Sequence, residues 1–165
     1  MIRKDPELFR EPGVTGLEDV AVRELVPSDL DAIVRIDAKH VGRTRREYFT
    51  KKIAEATRES AIRISLIAEV EGCVAGFLLG RLYYGEFGLP EPAAIVDSIG
   101  VDPLFQGRKV GSAMLGQLET NLRAIGIDSI QTQVEWRQGR LLGFLAAEGF
   151  LPTPTLTLEK RLAAR

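Results

Sequence analysis

Residues 20 to 25 read VAVREL, and their alternation of apolar and polar positions predicts a strand. Pro27-Ser28-Asp29 then marks a helix start, with Ser28 or Asp29 as the cap. Leu30, Ile33, Val34 and Asp37 follow at helical spacing. Residues 45 to 57 predict a second helix, with Tyr48, Phe49 and Ile53 on its apolar side. IRISLIAEV (62–70) and VAGFLLGRL (from Val74) predict the two strands of a hairpin around the Glu71-Gly72 turn. The strand AAIVDSIGV (93–101) dips into polarity at Asp97 and Ser98. Val110, Ala113, Met114, Leu118 and Leu122 give an amphipathic helix from Gly111 to Ala124, with Gly126 as its stop. SIQTQVEW predicts a strand, GRLLGFLAAE a helix ended by Gly149, and residues 154 to 160 a final alternating strand. The order is β-α-α-β-β-β-α-β-α-β, an α/β chain with no internal repeat. Residues 1 to 19 show no clean period and are set apart as an arm. Residues 20 to 165 are expected to form one domain.

Composition narrows the function more than the fold. With 165 residues and 45% hydrophobic positions, the chain is long enough to bury a core. A net charge of −1 and the lack of a basic stripe argue against a nucleic-acid partner. No apolar run reaches the ~18 residues of a membrane span, and MIRKDPELFREPG lacks the apolar stretch of a signal peptide. A single cysteine, Cys73, cannot form an intramolecular disulfide. A cytoplasmic protein is expected, with a homodimer left open.

The stretch with most chemistry is VDPLFQGRKVGSAM, residues 101 to 114. It places glycines, an arginine and a lysine between a strand and a helix start. A helix N-terminus leaves backbone N–H groups unpaired and carries partial positive charge, and glycine lets an anion come close to them. No GxxxxGK[ST] is present, and no GxGxxG follows the first strand. On these residues alone the loop is either an anion cradle or a charged surface turn.

The wider context adds to this. Val101-Asp102-Pro103, then Gln106, Gly107, Arg108, Lys109, Val110 and Gly111, resemble the pyrophosphate loop of the GCN5-related N-acetyltransferases. That family's pattern is V-x-P followed by Q/R-x-x-G-x-G/A. Lys109 stands where the family has its middle glycine. Val22, Arg23 and Asp29 look like the family's start, and GFLAAEGF (143–150) like its last helix. The resemblance covers about residues 20 to 160. It implies the acyl-CoA N-acyltransferase fold, in which two parallel strands, here 93–101 and 129–136, splay apart around acetyl-CoA. It also implies transfer of acetyl from acetyl-CoA to a primary amine by direct attack, without a metal. The acceptor is a small amine or a peptide N-terminus.

By the same resemblance, the pantetheine arm pairs with backbone at Ile99, Gly100 and Val101, like an added strand. The pyrophosphate meets residues Gln106, Gly107, Arg108, Lys109, Val110, Gly111 and Ser112. Gln138 stands where the family's pantetheine-orienting asparagine does. The family's acid is the tyrosine of an F-Y pair; here Phe144 is followed by Leu145, which cannot donate a proton. Tyr83 and Tyr84 are alternative donors. A rival reading is therefore a non-catalytic acyl-CoA-binding regulatory module.

For the base, Asp97 is the first candidate, because burying a carboxylate unpaired inside a strand is costly. A structural hydrogen-bonding role for it stays open. Glu135, at the end of the next strand, is second. His40 is expected in a solvated loop between the first two helices, Cys73 half-buried beside a turn, and Trp136 under the last helix. Arg43, Arg45 and Arg46 form a basic cluster. It is a solvated helix face or a contact for an anion. Tyr83, Tyr84, Glu86, Phe87 and Glu91 share one loop and suit a cationic amine, or hold the loop themselves.

Overall fold

The computed structural model describes residues 20–58, 64–84 and 91–162. The arm at 1–19 and the 85–90 stretch with Glu86 and Phe87 lie outside them. The described chain divides into two compact units, one ending at Gln133 and one starting at Val134.

The first unit is built on a five-stranded sheet: β1 (Val20–Glu24), β2 (Leu66–Val70), β3 (Cys73–Tyr83), β4 (Ala93–Val101) and β5 (Ile130–Thr132). The strands lie side by side in chain order. The first three pairings are antiparallel and β4–β5 is parallel. The β2–β3 turn is as tight as its sequence suggests, with Glu71 at φ 53° and Gly72 at φ 75°.

Helices cover both faces. α1 (Leu30–Val41) and α2 (Arg46–Arg58) bury Ile33, Val34, Ile36, Phe49 and Ile53 in one cluster with Ile67, Phe77 and Leu79 of the sheet. α3 (Val110–Arg123) buries Val110, Met114, Leu115, Leu118 and Leu122. Its first turn crosses the sheet at Gly76, where an added Cβ would lie 2.9 Å from Val110 Cγ1 and 3.1 Å from Met114 Cε. Gly76 alternates with Phe77 along β3, so α3 lies on the face opposite α1 and α2. The missing side chain lets the start of α3 sit low over the ends of β3 and β4.

Buried carboxylates tie these layers together. Asp29 opens α1 but does not cap it: its oxygens turn back to Arg23, at 2.8 Å each, and to the Val26 N–H. Asp37 is buried and accepts from Arg45 Nε at 2.9 Å, and Arg46 reaches Asp31. Arg45 and Arg46 thus join α1 to α2, Arg46 with half of its side chain still exposed.

The second unit contains α4 (Gly139–Ala147), ended by Gly149 at φ 89°. The strand expected at 154–160 does not form. Leu156 and Leu158 are 88% and 90% exposed, so the alternation there buries no apolar face. Trp136, expected under α4, is exposed in the turn before it, where the Gln138 N–H donates to Glu135 O. Cys73 is also exposed, because it opens β3 at the hairpin rim. No described helix is long and apolar enough to cross a membrane.

Candidate functional site

The site begins where two strands part. β4 pairs with β5 only through Ala94, Ile95 and Val96, yet β4 runs on to Val101. The strand expected over 129–136 therefore stops at Thr132, whose hydroxyl donates to Val96 O at 2.9 Å. The cause lies on the other edge of β4. Leu79 faces Ser98 and Gly80 faces Val96, so Asp97 is an extra residue, a β-bulge.

Backbone direction beyond the bulge follows from one bond. The Asp102 N–H donates to Ala75 O at 2.8 Å, so residue 102 faces β3. In an antiparallel pair successive residues alternate, so Gly100 also faces β3, and Ile99 and Val101 turn their N–H and C=O groups to the opposite edge. That is the edge β5 has left. Gly100 itself has no room for a side chain, since a Cβ there would lie 2.6 Å from the Phe77 ring.

The bulge also gathers side chains. Asp97 and Ser98 are adjacent yet both meet α2. Lys52 Nζ donates to Asp97 Oδ2 at 3.2 Å, and the Tyr48 and Ser98 hydroxyls are 3.5 Å apart. Tyr48 and Lys52 are one helical turn apart, so they share a face. Arg81 Nε lies 3.4 Å from the same Oδ2. Asp97 Oδ1 has no partner among the described residues. Partial burial pulls the Lys52 ammonium down, but its bond to Asp97 and the nearby charges outweigh that and raise it above its ordinary value.

At the far end of β4 the chain turns through Pro103–Phe105 into the glycine loop and α3. Gly107 has φ 82°. The first bond of the α3 ladder runs from the Ala113 N–H to Lys109 O, at 2.9 Å. The N–H groups of Val110 and Gly111 precede it and have no acceptor within the helix. Arg108 is held sideways, 3.0 Å from Glu71 and stacked over Phe105.

Lys109 explains its own departure from the glycine pattern. It is exposed, precedes the first residue of α3, and has φ 58° and ψ 23°, the left-handed conformation. The backbone keeps the shape a glycine would give, at a cost of roughly 1 kcal/mol for a residue with a Cβ. Lys109→Gly is expected to raise unfolding stability by about that amount, whereas Lys109→Ala, which keeps the Cβ, gains nothing. Denaturant unfolding of the two variants measures this.

Asp102, the middle residue of V-D-P, is buried and accepts from Lys39 Nζ at 2.7 and 3.0 Å and from the Leu104 N–H. Burial pushes its carboxyl up, but the Lys39 ammonium, the Leu104 N–H and the charge of Arg35 hold it below its ordinary value. Asp29 is depressed in the same way against its burial, by Arg23 and the Val26 N–H. Each folded value lies below the unfolded one, so the stabilisation is present above the ordinary 3.8 and is lost as pH falls through the folded values. Acid unfolding is expected to begin below about pH 4, and Asp102→Asn should flatten that slope.

His40 is not in a loop. α1 continues through it to Val41 and ends at Gly42 in the left-handed conformation, φ 76°. His40 Nε2 lies 2.7 Å from Val101 O. A carbonyl only accepts, so Nε2 carries the hydrogen. Lys39, Tyr48, Lys52 and Arg81 were not picked out as site residues from the sequence. The adjacent polar pair Asp97-Ser98 was the available signal, because two neighbours share one face of a strand only at a bulge.

Two expected site residues fall in the second unit. Glu135 is exposed and lies in the turn before α4, three residues past the end of β5, because the strand stops early. Gln138 is exposed at the α4 N-cap and makes no side-chain cap bond there. Leu145 is buried. Tyr83 lies beneath the Arg81 guanidinium at 5.9 Å, and Tyr84 is 66% exposed.

Residues 31–150 match the family described as acetyltransferase (GNAT) family. Solved structures of the same fold include Ard1 from Thermoplasma volcanium, 24% identical, TM-score 0.68, covering 82% of this chain and 84% of that one. An aminoglycoside N-acetyltransferase in complex with CoA is 15% identical, TM-score 0.72, covering 87% and 95%. A GNAT-family acetyltransferase from Bacillus cereus is 21% identical, TM-score 0.61, covering 81% and 84%.

Proposed function

We propose that this chain, which belongs to the GNAT acetyltransferase family, moves an acetyl group from acetyl-CoA to a primary amine, a small molecule or a peptide N-terminus. One observation carries the reading. The open edge of β4, at Ile99 and Val101, leads into the Gln106–Ser112 loop at the start of α3. An edge that offers backbone N–H and C=O groups suits the amides of a pantetheine arm. The N–H groups of Val110 and Gly111, at the positive end of a helix, suit a pyrophosphate. Gly107 keeps the approach open, and Lys109 adds a charge beside it.

The chemistry needs a neutral amine, a polarised carbonyl and a leaving thiolate. The thioester belongs beside the bulge, where the ladder ends. There Asp97 is proposed as the base. Lys52 and Arg81 fix its Oδ2, which leaves Oδ1 for the amine or an intervening water. Glu135 is the second candidate, and Gln138 is proposed to orient the pantetheine. A thiolate with a thiol pKa of about 8.5 leaves near neutral pH without a strong acid, so Leu145 does not preclude turnover.

Thermal melting with CoA and acetyl-CoA, then thiol release with a panel of amines, tests this. Ligand at ~100 times its dissociation constant is expected to add ~2.7 kcal/mol. No shift at saturating CoA would sink the reading. A shift without thiol release from any amine would favour the acyl-CoA-binding regulatory module, which the leucine at position 145 makes the second reading.

A further inference from the structure

The last turn of α1 touches the ligand edge of β4, and nothing in the transfer chemistry above uses it. Val101 is the last residue of β4, and its carbonyl lies on the edge that β5 leaves open. His40 Nε2–H fills that carbonyl at 2.7 Å. The adjoining Lys39 is anchored to the buried Asp102 carboxylate, 2.7 Å away, one residue further along the strand. Two consecutive residues of α1 thus grip two consecutive residues at the exit of β4. The imidazole is not placed by chance rotation, because its helix turn is pinned beside it.

We propose that His40 is a positioning residue that sets the register of the donor on β4. The proposal rests on the reading of the open edge as the pantetheine site. A strand edge repeats every two residues, so an added strand that finds one set of partners also finds the next set, displaced by one repeat. With its carbonyl occupied by His40, Val101 offers only its N–H. The ladder then ends there, and its other end, the thioester, falls beside Asp97 at the bulge. Without His40 the edge gains a free acceptor and the added strand can slide. The expected signature is retained binding with misplaced chemistry, since even ~1 Å of displacement at a reacting centre costs up to ~10²-fold in rate and one repeat of the edge is ~6.6 Å.

The test compares His40→Ala with His40→Gln, whose side-chain amide places a donor where Nε2 sits. His40→Ala is expected to lower kcat at least about tenfold, while the CoA dissociation constant changes less than about threefold and Tm is held. His40→Gln should restore kcat. A second readout needs no acceptor: with CoA bound, the Val101 amide should exchange slowly with solvent in the wild-type and His40→Gln proteins and quickly in His40→Ala. Unchanged kcat and unchanged Val101 protection in a folded His40→Ala protein overturn the proposal. So does a loss of rate that follows a loss of Tm and is not rescued by glutamine, which marks a merely structural contact. If the wild-type protein binds no CoA, the reading of the edge fails instead.

Discussion

Ser112→Asp is expected to fold as well as the wild-type chain and to bind CoA at least ~100-fold more weakly. The two halves of this result come from the same dipole. Ser112 is the third residue of α3, and an acidic side chain in a first turn is worth about 0.3–1 kcal/mol to a helix. The substitution therefore favours the fold, or leaves it unchanged. A pyrophosphate seated on the same N–H groups meets that new charge at close range. Two unit charges ~4 Å apart repel by ~4 kcal/mol at an effective dielectric of about 20, close to a thousandfold in affinity. Solvent at the open end of the site reduces this, hence the lower bound. Calorimetry with CoA and a melting curve without it separate the effects. Equal affinity in wild type and variant would place the anion elsewhere.

Asp97→Asn is expected to lower turnover by ~10²–10⁴-fold, or ~2.7–5.4 kcal/mol of barrier, while CoA affinity stays within about threefold. Asparagine keeps the shape of the side chain and can still accept from Lys52 or Arg81. What it loses is the ability to take a proton from the acceptor. The edge proposed for the cofactor begins two residues further on, at Ile99, so binding of the donor is expected to be spared. Steady-state kinetics with the best amine, together with calorimetry and melting curves, decide the matter. Wild-type turnover in a folded Asp97→Asn protein would make Asp97 a strut for Lys52 and Arg81. Glu135 or solvent would then deprotonate the amine.

Most of the element order was legible because hydrophobic period and turn chemistry agreed. The limits of β4 at 93–101 and the Glu71-Gly72 hairpin follow directly from both. β5 was overestimated for a physical reason. SIQTQVEW alternates well enough to be a strand throughout, but a strand lasts only as long as its partner, and the Asp97 bulge ends that partnership at Thr132. Residues 154–160 fail as a strand because alternation is a local property and strand pairing is not. At the site, the glycine loop could be read from sequence because its residues are consecutive. The contacts of Lys39 with Asp102 and of His40 with Val101 span more than sixty positions and leave no mark on either segment. Lys109 is the opposite case: its side chain breaks the family's pattern, and its backbone keeps it.

The side-by-side order of the strands bears on how the protein is made. After β1, each strand joins a sheet edge that its predecessor has already built. A chain emerging from synthesis can therefore extend the sheet one strand at a time. Sheets whose middle strand comes last must instead hold a gap open. The β2–β3 hairpin and the β4 strand beside it need only short loops to close, so they are the natural nucleus. α3 and β5 arrive after them. The open edge of β4 thus exists before the elements that frame it, and the same backbone groups proposed to receive a cofactor in the finished molecule are, in the growing one, an exposed edge open to another chain.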